Sequence, residues 1–172
     1  RKTKGGDKAM DKAAVERRFP CGEVEEYITN YKVVIIIMRL FYLALAMWAF
    51  WHSRHGDIWN HLMIDYIVIV FCLWRIHHQG DPVVYICNKG IVIRRKAADF
   101  FERIDMVWDV EKYYNYIPYG NIVGFTANWE EIHVANLNDG GLMIISVDLQ
   151  FLRYADKMRL LSIIDDRGHK DD

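Results

Sequence analysis

What this sequence lacks narrows its function before any motif is found. It has no Gly-rich loop to cradle phosphates and no nucleophile elbow around Ser146 or Ser162, and Gly140-Gly141 reads as a turn. Nucleotide chemistry and acyl transfer therefore have little to work with. The three cysteines, Cys21, Cys72 and Cys87, are scattered without a pairing pattern or metal spacing, so reduced thiols are expected. Charge of one sign is not in excess either. With 22 Lys and Arg against 23 Asp and Glu the net charge is -1, which disfavours nucleic acid as a partner. A secretory signal is missing: the first long apolar run begins late, runs long, and is not followed by a small-residue cleavage site. The chain opens at Arg1 without a methionine, which leaves its natural start open.

What is present is apolar and concentrated. The mean hydropathy of -0.05 averages charged ends with two apolar runs, residues 31–51 and 58–76, joined by the polar segment His52-Ser53-Arg54-His55-Gly56-Asp57. A bilayer core needs roughly 20 mostly apolar residues in a helix, and both runs approach that length. So short a link makes them antiparallel neighbours, a transmembrane helical hairpin over residues 31–78. A soluble hairpin would need a polar side, and the first run is apolar on every side except at Arg39. Tyr27 and Tyr31, Trp48 and Trp51, Trp59, and Trp74 fall at the run ends, where amphipathic rings favour the headgroup layer. Lys2, Lys4, Lys8, Lys12, Arg17, Arg18 and Lys32 flank one end, and Arg75, Arg94, Arg95 and Lys96 follow the other. The link holds only Arg54. This asymmetry puts both termini in the cytoplasm and the link outside.

Two charges sit inside the runs. With the fold of the hairpin near Arg54-His55, Asp65 is expected opposite Ala44, roughly 7–8 Å along the axis from Arg39. An Arg39–Asp65 pair is one reading. The other has Arg39 reaching back to the headgroups and Asp65 facing a partner subunit. His52, His55, Asp57 and His61 form the nearest thing to a metal site, three imidazoles and a carboxylate at the outer face. The alternative is that these residues populate the interface, and His77 and His78 at the opposite face are expected to contact headgroups.

Around the hairpin the pattern differs. Residues 1–30 read as a mixed-charge segment unable to bury a core, with a short helix expected near residues 22–30. After Gly80-Asp81-Pro82, strands are expected at residues 83–87 and 91–93 about an Asn88-Lys89-Gly90 turn. Phe100, Phe101, Ile104, Val107 and Trp108 give a helical face, an insertion near residues 97–113. Strands follow at 116–117, 122–126, 132–134 and 142–147, the last two joined at Asn138-Asp139-Gly140-Gly141. From the N-cap candidate Asp148, the stripe Leu149, Leu152, Ala155, Met158 and Leu160 or Leu161 predicts a closing helix. Residues 166–172 form a charged tail. The fold class is α+β: the hairpin, then a small antiparallel barrel or curved sheet over residues 79–165 with a carboxy-terminal capping helix.

Two stretches carry a resemblance. Residues 81–91, DPVVYICNKGI, and 116–125, YIPYGNIVGF, resemble a first strand, turn and second strand, and then a further strand, in an uncharacterised family of bacterial membrane proteins. In the second stretch Tyr119 stands at the family's aromatic position and Asn121 at its acidic one. In that family a two-helix hairpin precedes a cytoplasmic PH-like domain. The resemblance implies a multi-pass inner-membrane protein whose PH-like domain binds lipid headgroups or protein, and it implies no catalytic residue.

Arg75, Lys89, Arg94, Arg95 and Lys96 are the candidate contacts for anionic membrane lipids, each charge contributing around 1 kcal/mol near the surface. The same residues also serve as a positive-inside flank. The acidic insertion is a candidate protein-docking surface, with Phe100, Phe101 and Trp108 expected to pack on the barrel and Asp99, Glu102, Asp105 and Asp109 facing out. The leading expectation is a non-enzymatic membrane protein displaying an interaction module, with no cofactor and with a protein partner or a second copy. The alternatives are an accessory subunit of a larger membrane complex and a metal-binding protein using the outer histidines.

Overall fold

The computed structural model describes residues 10–55, 59–78, 80–135, 140–147 and 149–168. The chain divides into two compact units, one built from the residues up to Asn30 and from Pro82 onward, the other from Tyr31–Asp81.

The first unit is organised on seven short strands. Strand β1 (Val24–Thr29), β2 (Pro82–Cys87), β3 (Gly90–Arg94) and β4 (Tyr114–Pro118) form an antiparallel sheet in that order. Strands β5 (Ile122–Phe125), β6 (Glu131–Ala135) and β7 (Leu142–Ser146) form a second antiparallel sheet, again in chain order. An isolated bridge between Arg95 and Val147 links the two sheets.

β2 reads as an unbroken apolar run because both of its faces are covered. Val84 and Ile86 join Ile91, Ile93, Ile117, Ile132 and Leu149 in the main core, while Tyr85 and Cys87 turn the other way. There they meet Val24 of β1, together with Val15 of helix α1 (Lys12–Arg18) and Met10 and Cys21 from the segments on either side of that helix. The hydroxyl of Tyr85 is satisfied in that second core by donating to the Met10 carbonyl at 2.6 Å. Gly90 opens β3 because nothing larger fits: a Cβ there would collide with the Ile117 carbonyl of β4.

The amino-terminal segment thus departs from expectation. Residues 10–30 are not a coreless tail, and residues 24–29 are a strand rather than a short helix. A register irregularity between Val24 and Glu26 breaks the two-residue alternation by which a strand is recognised.

Between β3 and β4 the insertion forms helix α4 (Phe100–Trp108) and a 3-10 turn at Val110–Tyr113. The Asp99 carboxylate caps α4 by accepting from the Glu102 amide at 2.7 Å. Phe101 is 79% exposed rather than packed on the sheets, and the side chains of Phe100 and Trp108 lie outside the described residues. The closing helix α5 (Tyr154–Gly168) starts later than the stripe suggested. Leu149 and Leu152 fill the core from the turn before it, and Leu160 and Ile164, one helical turn apart, bury its inner face. Met158 is 43% exposed, and the proposed cap Asp148 lies outside the described residues, as do Asn138 and Asp139 of the expected turn.

The second unit is the helix pair α2 (Lys32–His55) and α3 (Trp59–His78). Tyr42 meets Phe71 and Arg75, and His52 meets Asp65, so contacts advance along one helix as they retreat along the other. Small side chains sit at the seam: Ala46, Ala49 and Cys72 are buried while Ile37, Leu40, Phe41, Met47, Ile64 and Ile67 are exposed. Among the described residues one segment, Lys32–Arg54, is long and apolar enough by length and composition to cross a membrane, with a mean hydropathy of 2.3 over its apolar window.

Candidate functional site

The polar residues of the helix pair come together differently from the sequence expectation. α2 continues through His55, so the reversal falls after Arg54-His55 and the register of the two helices shifts. Asp65 is buried and lies 3.0 Å from Nδ1 of His52, whose ring stacks on Trp48. Arg39 is thirteen positions before His52, about 20 Å along the helix axis from the level of Asp65. The Arg39–Asp65 pair is therefore corrected to His52–Asp65. The Arg39 guanidinium instead lies beside Gly80, just past the end of α3, where a cation favours the negative pole of the helix.

Of the expected metal cluster, only the His52 side chain falls among the described residues. His52 is committed to Asp65; Asp57 and the side chains of His55 and His61 lie outside the described residues, as does the side chain of His78. Among the described residues no three metal-ligating side chains converge.

The basic candidates of the strand unit do not form one patch. Lys89 is in the turn between β2 and β3, and Arg94 closes β3, so the strand separates them by about 17 Å. Arg95 is paired with Glu102 at 3.0 Å and lies over the Tyr113 ring, and Lys96 reaches Glu130 at 3.4 Å. Arg75, on α3, donates from Nε to the Tyr42 hydroxyl at 3.3 Å and lies over that ring. In the acidic insertion Asp105 accepts from Lys112 at 2.7 Å and from the Tyr113 hydroxyl at 3.0 Å, and these bonds hold its carboxyl below the ordinary range.

One polar cluster had no sequence signal, because its members are remote in the chain. Arg167 on α5 grips the Glu25 carboxylate with both terminal nitrogens, at 2.6 and 3.1 Å, and donates to the Cys87 carbonyl at 3.0 Å. The Tyr119 hydroxyl donates to the same carbonyl at 2.6 Å. The hydrogen bond from Arg167 lowers the Glu25 pKa, and burial pushes Tyr119 up to about 12 against the pull of Arg167. Cys87 is fully buried, and that burial, with Cys21 beside it, pushes its thiol far up.

A groove of about 620 Å³ lies between β5 and α5, and its walls include Ile122, Phe125, Met158, Leu161 and Asp165. β5 is an edge strand, and the groove runs beside it. A second cleft of about 530 Å³ lies between β4 and the β6–β7 hairpin, with Tyr114, Tyr116, Val134 and Met143 in its walls.

The class that these features define is coarse: a mixed α+β chain with antiparallel sheets, a carboxy-terminal helix and one helix fit by length and composition to cross a membrane. No protein-family model matches it, and neither a curated protein nor a solved structure does.

Proposed function

We propose that this chain is a multi-pass membrane protein that displays a PH-like interaction module at the cytoplasmic face, where it binds protein and performs no catalysis. The observation that carries the reading is the pairing of Thr29 with Pro82 in the β1–β2 ladder. The helix pair leaves the sheet and returns to it at adjacent positions, so if α2 crosses a bilayer α3 must cross back. At about 36 Å, α2 exceeds the hydrocarbon core, and its large apolar side chains are exposed. The four-strand and three-strand meanders followed by α5 support the PH-like reading. The basic residues beside the apolar runs support cytoplasmic termini.

Protein is favoured over anionic lipid because Arg95 and Lys96 are already held by carboxylates, and Lys89 stands a strand's length from Arg94. The groove beside β5 suits an extended segment. Such a segment pairs its main chain with the strand edge and sets alternate apolar side chains against Met158 and Leu161, with a cation near Asp165. The test uses the purified full chain in nanodiscs. Peptides selected from a random library are expected to bind, to lose binding when N-methylated at alternate residues, and to be displaced by Val123→Asp. Phosphatidylserine is expected to leave the sheet unit indifferent. Binding to anionic vesicles that depends on Lys89 and Arg94, with no competing peptide, would overturn the protein reading.

A further inference from the structure

Edge strands are where sheets recruit other chains, and folded proteins blunt them with charge, proline or a covering element. Two edges of this unit follow that rule. β1 carries Glu25 and Glu26, ion-paired to Arg167 and Arg159 of α5. β4 ends in Pro118, while β5 borders the groove assigned above to an extended peptide. β7 does not follow it: residues 140–147 contain no charge, and Leu142, Met143 and Ile144 are each at least 50% exposed.

The open part of this edge is sharply bounded. Val147 donates to the Glu130 carbonyl on the β6 side, whereas the Ser146 carbonyl faces the other way and accepts from the Lys96 amide at 2.9 Å. Alternation along an antiparallel ladder then turns the main-chain groups of Leu142 and Ile144 to the same outer side as those of Ser146. Beyond Ser146 that side is occupied by residues 95–96. Before it, among the described residues, no strand lies there.

We infer that the β7 edge is a homodimer interface, in which β7 pairs antiparallel with β7 of a second copy about a twofold axis through Met143. Leu142 of each copy exchanges both main-chain hydrogen bonds with Ile144 of the other, four bonds in all, and Met143 faces its own counterpart between them. The occupant is a second copy because the strand is its own complement: it buries no charge, and its outer-face side chains Leu142 and Ile144 stack on the same pair. The ends also fit. Where the incoming strand meets Lys96 it presents Gly141 and Gly140, which have open space at their Cβ positions. The backbone at Gly140 turns away at a φ of +62°. The second sheet becomes six-stranded, and the apolar edge disappears. An isologous contact of this kind closes at two copies and does not propagate.

The experiment is mild oxidation of single-cysteine substitutions in the full chain in detergent, with its buried native thiols in place. Facing residues of a non-hydrogen-bonded pair have Cα atoms about 4.5 Å apart, within disulfide reach, whereas Ile144 lies roughly 9 Å from its own counterpart. Met143→Cys is expected to cross-link into a dimer, and Ile144→Cys and the parent chain are not. Ile144→Lys, at an exposed site that tolerates the charge in the monomer, is expected to halve the mass measured by light scattering. A monomeric parent chain, a dimer that survives Ile144→Lys, or cross-linking of Ile144→Cys in preference to Met143→Cys would each overturn the interface.

Discussion

Arg167 and Glu25 form a two-pronged ion pair, 2.6 Å at its shorter contact, between residues 142 positions apart. It ties the last helix to the first strand. Because Arg167 also donates to the Cys87 carbonyl of β2, it fastens one end of α5 to two strands at once. Arg167→Ala is expected to destabilise the strand unit by about 1–3 kcal/mol, since it leaves a partly buried carbonyl with one partner fewer. Glu25→Gln, at a site where solvent screens the charge, is expected to cost less than about 1 kcal/mol. Thermal melts of the two variants in detergent check the order.

The same pair sets a pH response. Glu25 has a folded pKa lowered by its bond to Arg167, so its contribution is fully present above the ordinary carboxylate value of about 4. It is lost as pH falls through the lowered folded value. The melting difference between the parent chain and Glu25→Gln is therefore expected to be constant from neutral pH to about 5 and to shrink towards zero in acid. A difference that grows in acid contradicts the assignment.

In the helix pair, coupling is expected between His52 and Asp65 and not between Arg39 and Asp65. A double-mutant cycle on His52→Ala and Asp65→Asn should return about 0.5–1.5 kcal/mol, the scale of one hydrogen bond. The cycle on Arg39→Ala and Asp65→Asn should return none. Denaturation in mixed micelles provides the measurement.

Gly90 and Gly120 differ in a way that one methyl group exposes. A Cβ at Gly90 meets the Ile117 carbonyl and the Pro118 backbone, whereas one at Gly120 meets nothing. Gly90→Ala is expected to cost about 1–3 kcal/mol through forced backbone movement, and Gly120→Ala to leave the melting temperature nearly unchanged. Equal melting temperatures would contradict the β3–β4 register.

Much of this architecture was legible where local chemistry decides it. β2 and β3 announce themselves by β-branched residues around Asn88-Lys89, and the apolar runs by their length. β1 was not legible, because its register irregularity hides its period and its partner lies beyond the helix pair. The basic residues misled for a related reason. Lys96 finds Glu130 34 positions away, and no spacing rule reaches that far. The His52–Asp65 pair was missed because α2 keeps its helix through His55, moving the reversal by a few residues and the register with it. The Arg167 cluster and the groove beside β5 exist only once α5 has docked.

Cysteine accessibility tests the central claim most directly, that the helix pair crosses a membrane and returns. Arg54 lies near the end of α2, and Asn128 is exposed in the turn between β5 and β6. The three native thiols are buried and stay silent. With a membrane-impermeant maleimide, Arg54→Cys is expected to label in intact cells, and Asn128→Cys only after the membrane is opened. Labelling of both from the same side, or release of the chain from the membrane by high salt alone, would contradict the account.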